Sequence, residues 1–219
     1  MKKILLILAV AILAACGPKQ PLKVACVGDS ITFGHGIRDR EHDAYPGVLD
    51  SLLGESYDVR NFGLSSRTLM NVGEYPYMNE QIYRDALAFN PDIVTIKLGT
   101  NDSKWYNWQY NSQFKDDLKT LIESFKALET SPRILLCLPA PAMSGRWDIN
   151  DSVIVNGVIP YIREVAAEEK LEIIDLNTPL RPHKEYFPDG IHPNEAGSVV
   201  IAREIYKAIT GKEYKEKGK

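Results

Sequence analysis

Five short apolar segments alternate along the chain with longer segments in which apolar residues recur at helical spacing. Continuous apolar runs of this length predict buried parallel strands, and they lie at 22–27, 57–62, 92–98, 133–138 and 171–176. Recurrence at three- and four-residue steps predicts helices, and these segments lie at 44–53, 79–89, 114–128, 150–170 and 194–209. The pattern therefore predicts a chain in which strands and helices alternate.

The clearest helical segment is 114–128. Its apolar residues are Phe114, Leu118, Leu121, Ile122, Phe125 and Leu128, with charged residues between them. Pro160 lies inside the segment 150–170 and is expected to kink or interrupt that helix, because proline has no backbone N–H. The alternation predicts an α/β fold, a three-layer α/β/α sandwich around a five-stranded parallel sheet, with the flavodoxin-like strand order 2-1-3-4-5.

Polar residues follow each predicted strand. Ligands of open parallel sheets bind beyond the carboxyl ends of the strands, near the point where the strand order reverses. The loops that would meet at this edge contain residues 28–30, 63–65, 99–102, 139–141 and 189–192. We therefore expect the functional site at this edge.

Composition limits the class of protein. The 219 residues are 44% hydrophobic and 25% charged, with a formal net charge of −3. One globular domain is expected, and no basic surface indicates a nucleic-acid partner. No histidine, cysteine or carboxylate spacing typical of a metal site is present, so no metal is expected.

The N-terminal segment is typical of a targeting sequence. Lys2 and Lys3 precede an apolar run at 4–13 and two alanines before Cys16. The segment 13–16 resembles a bacterial lipobox, which implies acylation of Cys16; an ordinary signal peptide with an incidental cysteine is the alternative. We expect a signal peptide at 1–15, a tether at 16–21, a domain at 22–210 and a polar tail at 211–219. Membrane contact would come only through the lipid on Cys16, with the domain outside the cytoplasm in a bacterial cell envelope.

The two remaining cysteines, Cys26 and Cys137, lie in predicted strands that are not neighbours. Parallel strands two apart are roughly 10 Å from each other, which is too far for a disulfide. Buried free thiols are therefore expected.

Two short segments contain the residues of a hydrolytic triad. Ser30 follows the first strand, and Asp189 and His192 lie three residues apart near the C-terminus. A serine nucleophile needs a base, and the base needs a group that fixes its tautomer. No Gly-x-Ser-x-Gly sequence surrounds Ser30, which argues against an α/β-hydrolase. A serine hydrolase of another fold is the leading hypothesis.

Four blocks in order resemble the SGNH hydrolases, also called the GDSL esterase/lipase family. The blocks are Gly28-Asp29-Ser30, Asn61-Phe62-Gly63, Gly99-Thr100-Asn101-Asp102 and Asp189-Gly190-Ile191-His192-Pro193, with Ile31 where the family usually has leucine. The resemblance covers nearly all of the chain from Val24 to about Tyr206. It implies that Ser30 is the nucleophile, His192 the base and Asp189 its orienting carboxylate.

The same resemblance implies an oxyanion hole and no cofactor. Its donors would be the backbone N–H groups of Ser30 and Gly63 and the side-chain amide of Asn101. His35, His42 and His183 have no comparable neighbours in the sequence, and we expect them to be structural.

The substrate is indicated only by aromatic residues. Trp105, Tyr106 and Trp108 follow the third block, and Trp147 follows the fourth strand. Sugars stack on such rings, although the rings could instead pack the loop onto the domain. Arg67 and Arg146 are candidates for binding a substrate carboxylate, or are solvated surface residues.

The sequence therefore predicts a short-chain, acetyl-type esterase acting on a small-molecule or glycan ester. A lysophospholipase or acyl thioesterase is the alternative enzyme. A glycan-binding lipoprotein without catalysis is the alternative of another class.

Overall fold

A computed structural model describes residues 20–215, and these residues form a five-stranded parallel sheet. The strands are β1 (Leu22–Gly28), β2 (Tyr57–Gly63), β3 (Ile93–Lys97), β4 (Arg133–Leu138) and β5 (Glu172–Asp175). Their order is β2-β1-β3-β4-β5, and every neighbouring pair is parallel. The predicted fold class and strand order are confirmed, with strand ends that differ by one residue at most.

The helices fall in the predicted segments and in the connections between them. The longer ones are α3 (Tyr45–Leu53), α4 (Gln81–Ala88), α6 (Phe114–Lys126), α8 (Ile159–Glu169) and α10 (Glu195–Thr210). The shorter ones are α1 (Ser30–Phe33), α2 (Arg40–Asp43), α5 (Trp105–Trp108), α7 (Asp151–Val153) and α9 (Asn177–Leu180). Short 3₁₀ turns complete several of the connections.

Pro160 interrupts its segment as expected, but without ending the helical path. A π-helical turn at Ile154–Val158 joins α7 to α8, and the Ile159 N–H donates to the Ile154 carbonyl five residues earlier. Pro160 then lies in the first turn of α8. The wider turn therefore accommodates the proline.

Helices cover both faces of the sheet, because alternate residues of each strand point to opposite faces. On one face Ala25, Val27 and Val94 pack with the apolar sides of α4, α6 and α8. On the other face Val24 and Cys26 pack with α3 and α10. Both faces of the central strands are therefore buried, which explains their continuous apolar sequences.

Cys26 and Cys137 are both free and buried, as predicted. Burial raises the pKa of the Cys26 thiol to about 12. Burial raises the pKa of the Cys137 thiol as well. Among residues 20–215, no helix combines the length and the apolar character needed to cross a membrane. Cys16 and the predicted signal segment lie outside the described residues.

Candidate active site

The turn after β1 presents Ser30 at the edge where the strand order reverses. The Asp29 side chain caps α1 by accepting a hydrogen bond from the Ile31 N–H at 3.0 Å. This places Ser30 at the first helical position, where a backbone N–H has no partner within the helix. Gly28 is required just before this turn, because a Cβ there would lie 2.0 Å from Thr32 Oγ1 and 2.7 Å from the Lys97 carbonyl oxygen.

Ser30, His192 and Asp189 form a continuous chain of hydrogen bonds. The Ser30 Oγ lies 2.9 Å from His192 Nε2, and His192 Nδ1 lies 2.7 Å from Asp189 Oδ2. Asp189 Oδ1 also accepts from the backbone N–H groups of Ile191 and His192, each at 2.8 Å. Because Asp189 holds a proton on Nδ1, Nε2 is the ring atom that can accept the Ser30 proton.

The pKa values of this set favour a neutral base beside an ionised carboxylate. Burial lowers the pKa of His192, and this effect outweighs the opposing influence of Asp189. Partial burial acts to raise the pKa of Asp189. The hydrogen bonds that Asp189 accepts from the backbone N–H and the ring of His192 act to lower this pKa, and together they outweigh the effect of burial. The pKa of Asp189 is therefore below its usual value. At neutral pH His192 can accept a proton while Asp189 stays charged.

Asn101 and Ser66 lie beside Ser30 in a cavity of about 200 Å³. One Asn101 Nδ2 hydrogen bond goes to the Arg67 carbonyl oxygen at 3.1 Å, which fixes the amide plane and leaves the second N–H of the amide for a ligand. Ser66 has φ 69°, a left-handed conformation that is uncommon for serine. Strained backbone of this kind often lies at functional sites.

Gly63 is not placed as an oxyanion donor, and this prediction is corrected. Its N–H already donates to Asn61 Oδ1 at 2.9 Å, and Gly63 does not line the cavity that contains Ser30. A glycine at position 63 allows close packing of the backbone, because a Cβ there would lie 2.3 Å from the Phe33 N and 2.6 Å from the Thr32 carbonyl carbon. The residues of this loop that do reach the cavity are Ser65 and Ser66.

Trp147 and His35 form one wall of the same cavity. The His35 ring centroid is 4.3 Å from that of His192, and the Trp147 ring centroid is 5.3 Å from it. Nothing in the sequence pointed to His35, which we expected to be structural. Ser65 also lines the cavity, and its buried Oγ has no hydrogen-bond partner among the described residues.

The other predicted substrate residues divide into two groups. Trp105 is 70% exposed and lines a groove beside the cavity. Tyr106 donates to Glu74 Oε2 at 3.2 Å and lines neither the cavity nor the groove. Trp108 is half-buried against Phe114 and Tyr161, so its predicted role in substrate binding is corrected to packing.

The two arginines that were candidates for binding a substrate carboxylate have different surroundings. Arg67 donates to Glu80 Oε1 at 3.0 Å and to the Ser65 carbonyl oxygen at 2.8 Å, and does not line the cavity. Its predicted contact with substrate is corrected, because its guanidinium is already used to hold the loop. The guanidinium of Arg146 is exposed and lies 4.3 Å from the Trp147 ring centroid.

Two buried charged residues for which the sequence indicated no role support this site. Lys97, the last residue of β3, is fully buried, and so is Asp102. Asp102 accepts from the backbone N–H groups of Leu69 and Met70, at 2.9 and 2.8 Å. A lysine ending an otherwise apolar strand is a signal that could have been found in the sequence.

His35, Asp189 and His192 bring three possible metal-ligand atoms within 4.8 Å of one another. However, both ring nitrogens of His192 already contact Ser30 and Asp189. We therefore assign this cluster to the hydrogen-bonded chain and not to a metal.

Comparison with known proteins identifies relatives over most of the chain. Residues 26–200 match the GDSL-like Lipase/Acylhydrolase family. An acetylxylan esterase from Xylanibacter ruminicola is 46% identical over 211 residues, which are 88% of this chain and 44% of that protein. The chain thus spans less than half the length of this relative. The GDSL esterase/lipase CPRD49 of Arabidopsis thaliana is 24% identical, over 90% of this chain and 82% of that protein.

Solved structures share the fold. Est24, a carbohydrate acetylesterase from Sinorhizobium meliloti, has a TM-score of 0.71 at 19% identity, over 87% of this chain and 99% of that chain. A lipase/acylhydrolase from Enterococcus faecalis has a TM-score of 0.71 at 24% identity, over 90% of this chain and 100% of that chain. The family match over residues 26–200 shows that the chain belongs to the GDSL-like lipase/acylhydrolase family.

Proposed function

We propose that the protein is a serine esterase that removes short acyl groups, chiefly acetyl, from carbohydrate. The observation that carries this proposal is the 2.9 Å contact between Ser30 Oγ and His192 Nε2 inside a cavity of about 200 Å³. A cavity of this size suits an acetyl group. The 46% identity to an acetylxylan esterase supports an acetylated sugar as the substrate.

In the first step, Ser30 attacks the ester carbonyl. His192 Nε2 takes the hydroxyl proton as the Oγ–C bond forms and the carbonyl electron pair moves onto oxygen. Asp189 stabilises the imidazolium that results and keeps the ring oriented. When the tetrahedral intermediate collapses, the C–O bond to the sugar breaks and the departing oxygen takes the proton from Nε2.

Three donors would stabilise the oxyanion. They are the Ser30 N–H at the start of α1, the free N–H of the Asn101 amide, and the backbone N–H of Ser66. The first also benefits from its place at the N-terminal end of a helical turn. Loss of a single such donor in other hydrolases costs about 2.7–4 kcal/mol of transition-state stabilisation. Water then attacks the acyl-serine with the same base, which regenerates Ser30.

Substitution of the triad tests the proposal. Ser30→Ala and His192→Ala are expected to abolish acetate release while thermal unfolding stays close to that of the wild type. Turnover of Ser30→Ala at the wild-type rate would overturn the mechanism. A fluorophosphonate probe provides a second test, because it should label wild-type Ser30 and leave Ser30→Ala unlabelled, whereas a protein that only binds glycans would not react at all.

A series of nitrophenyl esters from acetate to decanoate tests the acyl group. The expected kcat/KM falls steadily beyond butyrate. A maximum at octanoate or longer would favour the lysophospholipase or thioesterase alternative. Release of acetate from acetylated xylan would then separate a carbohydrate substrate from a simple aryl ester.

We further propose that a lipid on Cys16 tethers this domain to a bacterial membrane, outside the cytoplasm. The tether would enter at the amino end of β1, which begins at Leu22, whereas Ser30 follows its carboxyl end. The active site would thus face away from the membrane. In cells fed radioactive palmitate, the full chain should be labelled and the Cys16→Ser variant should not; equal labelling of both would refute this anchor.

A further inference from the structure

A groove of about 500 Å³ lies beside the catalytic cavity. It is lined by Trp105, by residues 142–145 and by residues 148–152. The segment 142–145 is held by the hydrogen bond that the Met143 N–H donates to the Gly190 carbonyl oxygen at 2.7 Å. Gly190 lies between Asp189 and His192, so the groove wall is connected directly to the loop that supplies the catalytic base.

The groove and the cavity share a border. Ile149 lines both of them, and Lys104 lines the cavity while the next residue, Trp105, lines the groove. Likewise Trp147 lines the cavity and Asp148 lines the groove. Trp147 and Asp148 have φ angles of 54° and 61°, so this border is built from two successive left-handed residues. A ligand could therefore extend from the cavity into the groove without leaving the protein surface.

Trp105 offers an aromatic surface at this groove. Its side chain is 70% exposed, although tryptophan is usually one of the more buried residue types. The Tyr106 ring meets it edge to face, with centroids 5.3 Å apart at 88°. A tryptophan ring is largely apolar and has a polar N–H at one edge. It can therefore stack on the apolar C–H face of a sugar while its edge remains in water.

The polar residues of the groove indicate which sugars it can accept. Ser144, Asp148, Asn150 and Ser152 provide hydroxyl, carboxylate and amide groups. Asp151 is engaged in its wall, since it pairs with Arg181 at 2.8 Å. Within the described part of the chain, the lining of this groove includes two aspartates and no basic side chain. A uronate-rich chain would meet the like charge of Asp148 there, whereas hydroxyl groups would find hydrogen-bond partners.

We propose that this groove binds the uncharged oligosaccharide chain that carries the scissile acetyl ester, with one sugar ring stacked on Trp105. This inference rests on the proposed function and adds that the enzyme selects a neutral polymeric substrate over an isolated acetylated sugar. The acetyl group occupies the cavity at Ser30, and the chain passes Ile149 into the groove.

The Trp105→Ala variant of the full chain tests the stacking contact. We expect kcat/KM on acetylated xylan to fall roughly tenfold, while kcat/KM on 4-nitrophenyl acetate changes by less than about twofold. Tyr110→Ala is the matched control, because Tyr110 is also exposed, at 44%, but does not line the groove. It should leave both activities unchanged.

A Trp105→Ala enzyme that keeps its full activity on acetylated xylan would overturn the inference and leave the proposed function standing. A wild-type protein that releases no acetate from any ester would instead overturn the proposed function. The Asp148→Lys variant tests the charge of the groove, and it should raise activity on acetylated pectin relative to acetylated xylan. An unchanged ratio would refute the selection against anionic chains.

Discussion

The ammonium group of Lys97 and the carboxylate of Asp29 form an ion pair in which both side chains are fully buried. Lys97 Nζ donates to the two Asp29 oxygens at 2.9 and 3.0 Å and to Thr100 Oγ1 at 2.9 Å. All three ammonium protons therefore have acceptors. Because Asp29 precedes Ser30 and Thr100 precedes Asn101, this one side chain connects the turn of the proposed nucleophile to the loop of the proposed oxyanion donor.

Lys97→Met should damage the fold, and the double variant Asp29→Asn/Lys97→Met should damage chiefly catalysis. The single change leaves the buried charge of Asp29 without its counter-ion, which costs about 3–5 kcal/mol. The double change removes both charges and keeps an oxygen at position 29 to cap α1, so urea unfolding should show most of the stability restored. Without the tie between the loops, we expect kcat to fall roughly tenfold to a hundredfold, with KM nearly unchanged. A double variant with wild-type kcat would contradict a positioning role.

Asp102→Asn is expected to lower kcat, because Asp102 orients the loop that follows Ser66. Its two carboxylate oxygens accept from Leu69 and Met70, and desolvation raises its pKa to about 6. An asparagine would turn its NH2 toward one of these donors and leave a buried N–H unpaired, at a cost of about 1–3 kcal/mol.

Asp117→Asn is the matched control for this change. Asp117 accepts from the Asn71 N–H at 2.7 Å on the same loop, but in an exposed position. We expect thermal unfolding and kcat of Asp117→Asn to remain close to the wild type. If the two variants lose activity equally, the effect of Asp102 is not specific to its buried carboxylate.

The central strands could be predicted from the sequence because they are buried on both faces. Residues 93–97 are all buried, and three of these five residues, Ile93, Val94 and Ile96, are apolar. Helix α6 could also be predicted from the sequence, because its apolar residues form one side that packs on the sheet. The Ser30–His192 contact spans 162 residues and followed only from the order of four short blocks.

The missing parts of the site depend on backbone geometry and on contacts between loops. Nothing in a serine indicates the left-handed conformation of Ser66, and the bond from Gly63 to Asn61 is decided by the path of the loop. His35 reaches His192 only because α1 is a single turn, closed by Gly34 at φ 86°. Trp108 packs into the domain, contrary to its predicted role, because Gly157 leaves space for its ring. A Cβ at position 157 would lie 2.4 Å from Trp108 Cζ2.

The pH dependence should reflect the neutral form of His192. Only a neutral ring accepts the Ser30 proton, so kcat/KM rises with pH through the pKa of His192. Burial, opposed by Asp189 and assisted by the positive charge of His35, holds this pKa below the usual 6.5. The rising limb of a pH profile should therefore have its midpoint below pH 6.5.

The His35→Gln variant tests the direction in which His35 shifts the pKa of His192. Removal of the His35 charge raises the pKa of His192, so the rising limb should move to higher pH. His42→Gln is the control, since His42 pairs with Asp39 at 3.0 Å on the surface and should leave the profile unchanged. A limb that moves to lower pH in His35→Gln would contradict the assignment of His192 as the titrating base.

Substitutions at Ser66 distinguish its backbone from its side chain. If its N–H is the oxyanion donor, Ser66→Gly should keep kcat within about twofold, because glycine adopts positive φ freely and retains the N–H. Ser66→Val should lower kcat, since a β-branched residue is strained at φ 69° and would shift the peptide away from the oxyanion.

Ser131 is the matched control: it is exposed, has φ 45° and lies before β4, at the edge of the sheet opposite the site. Ser131→Val should reduce thermal stability by a similar amount without changing kcat. Equal losses of kcat at both positions would show that backbone strain alone lowers activity, and a Ser66→Gly variant without activity would assign the function to the Ser66 hydroxyl.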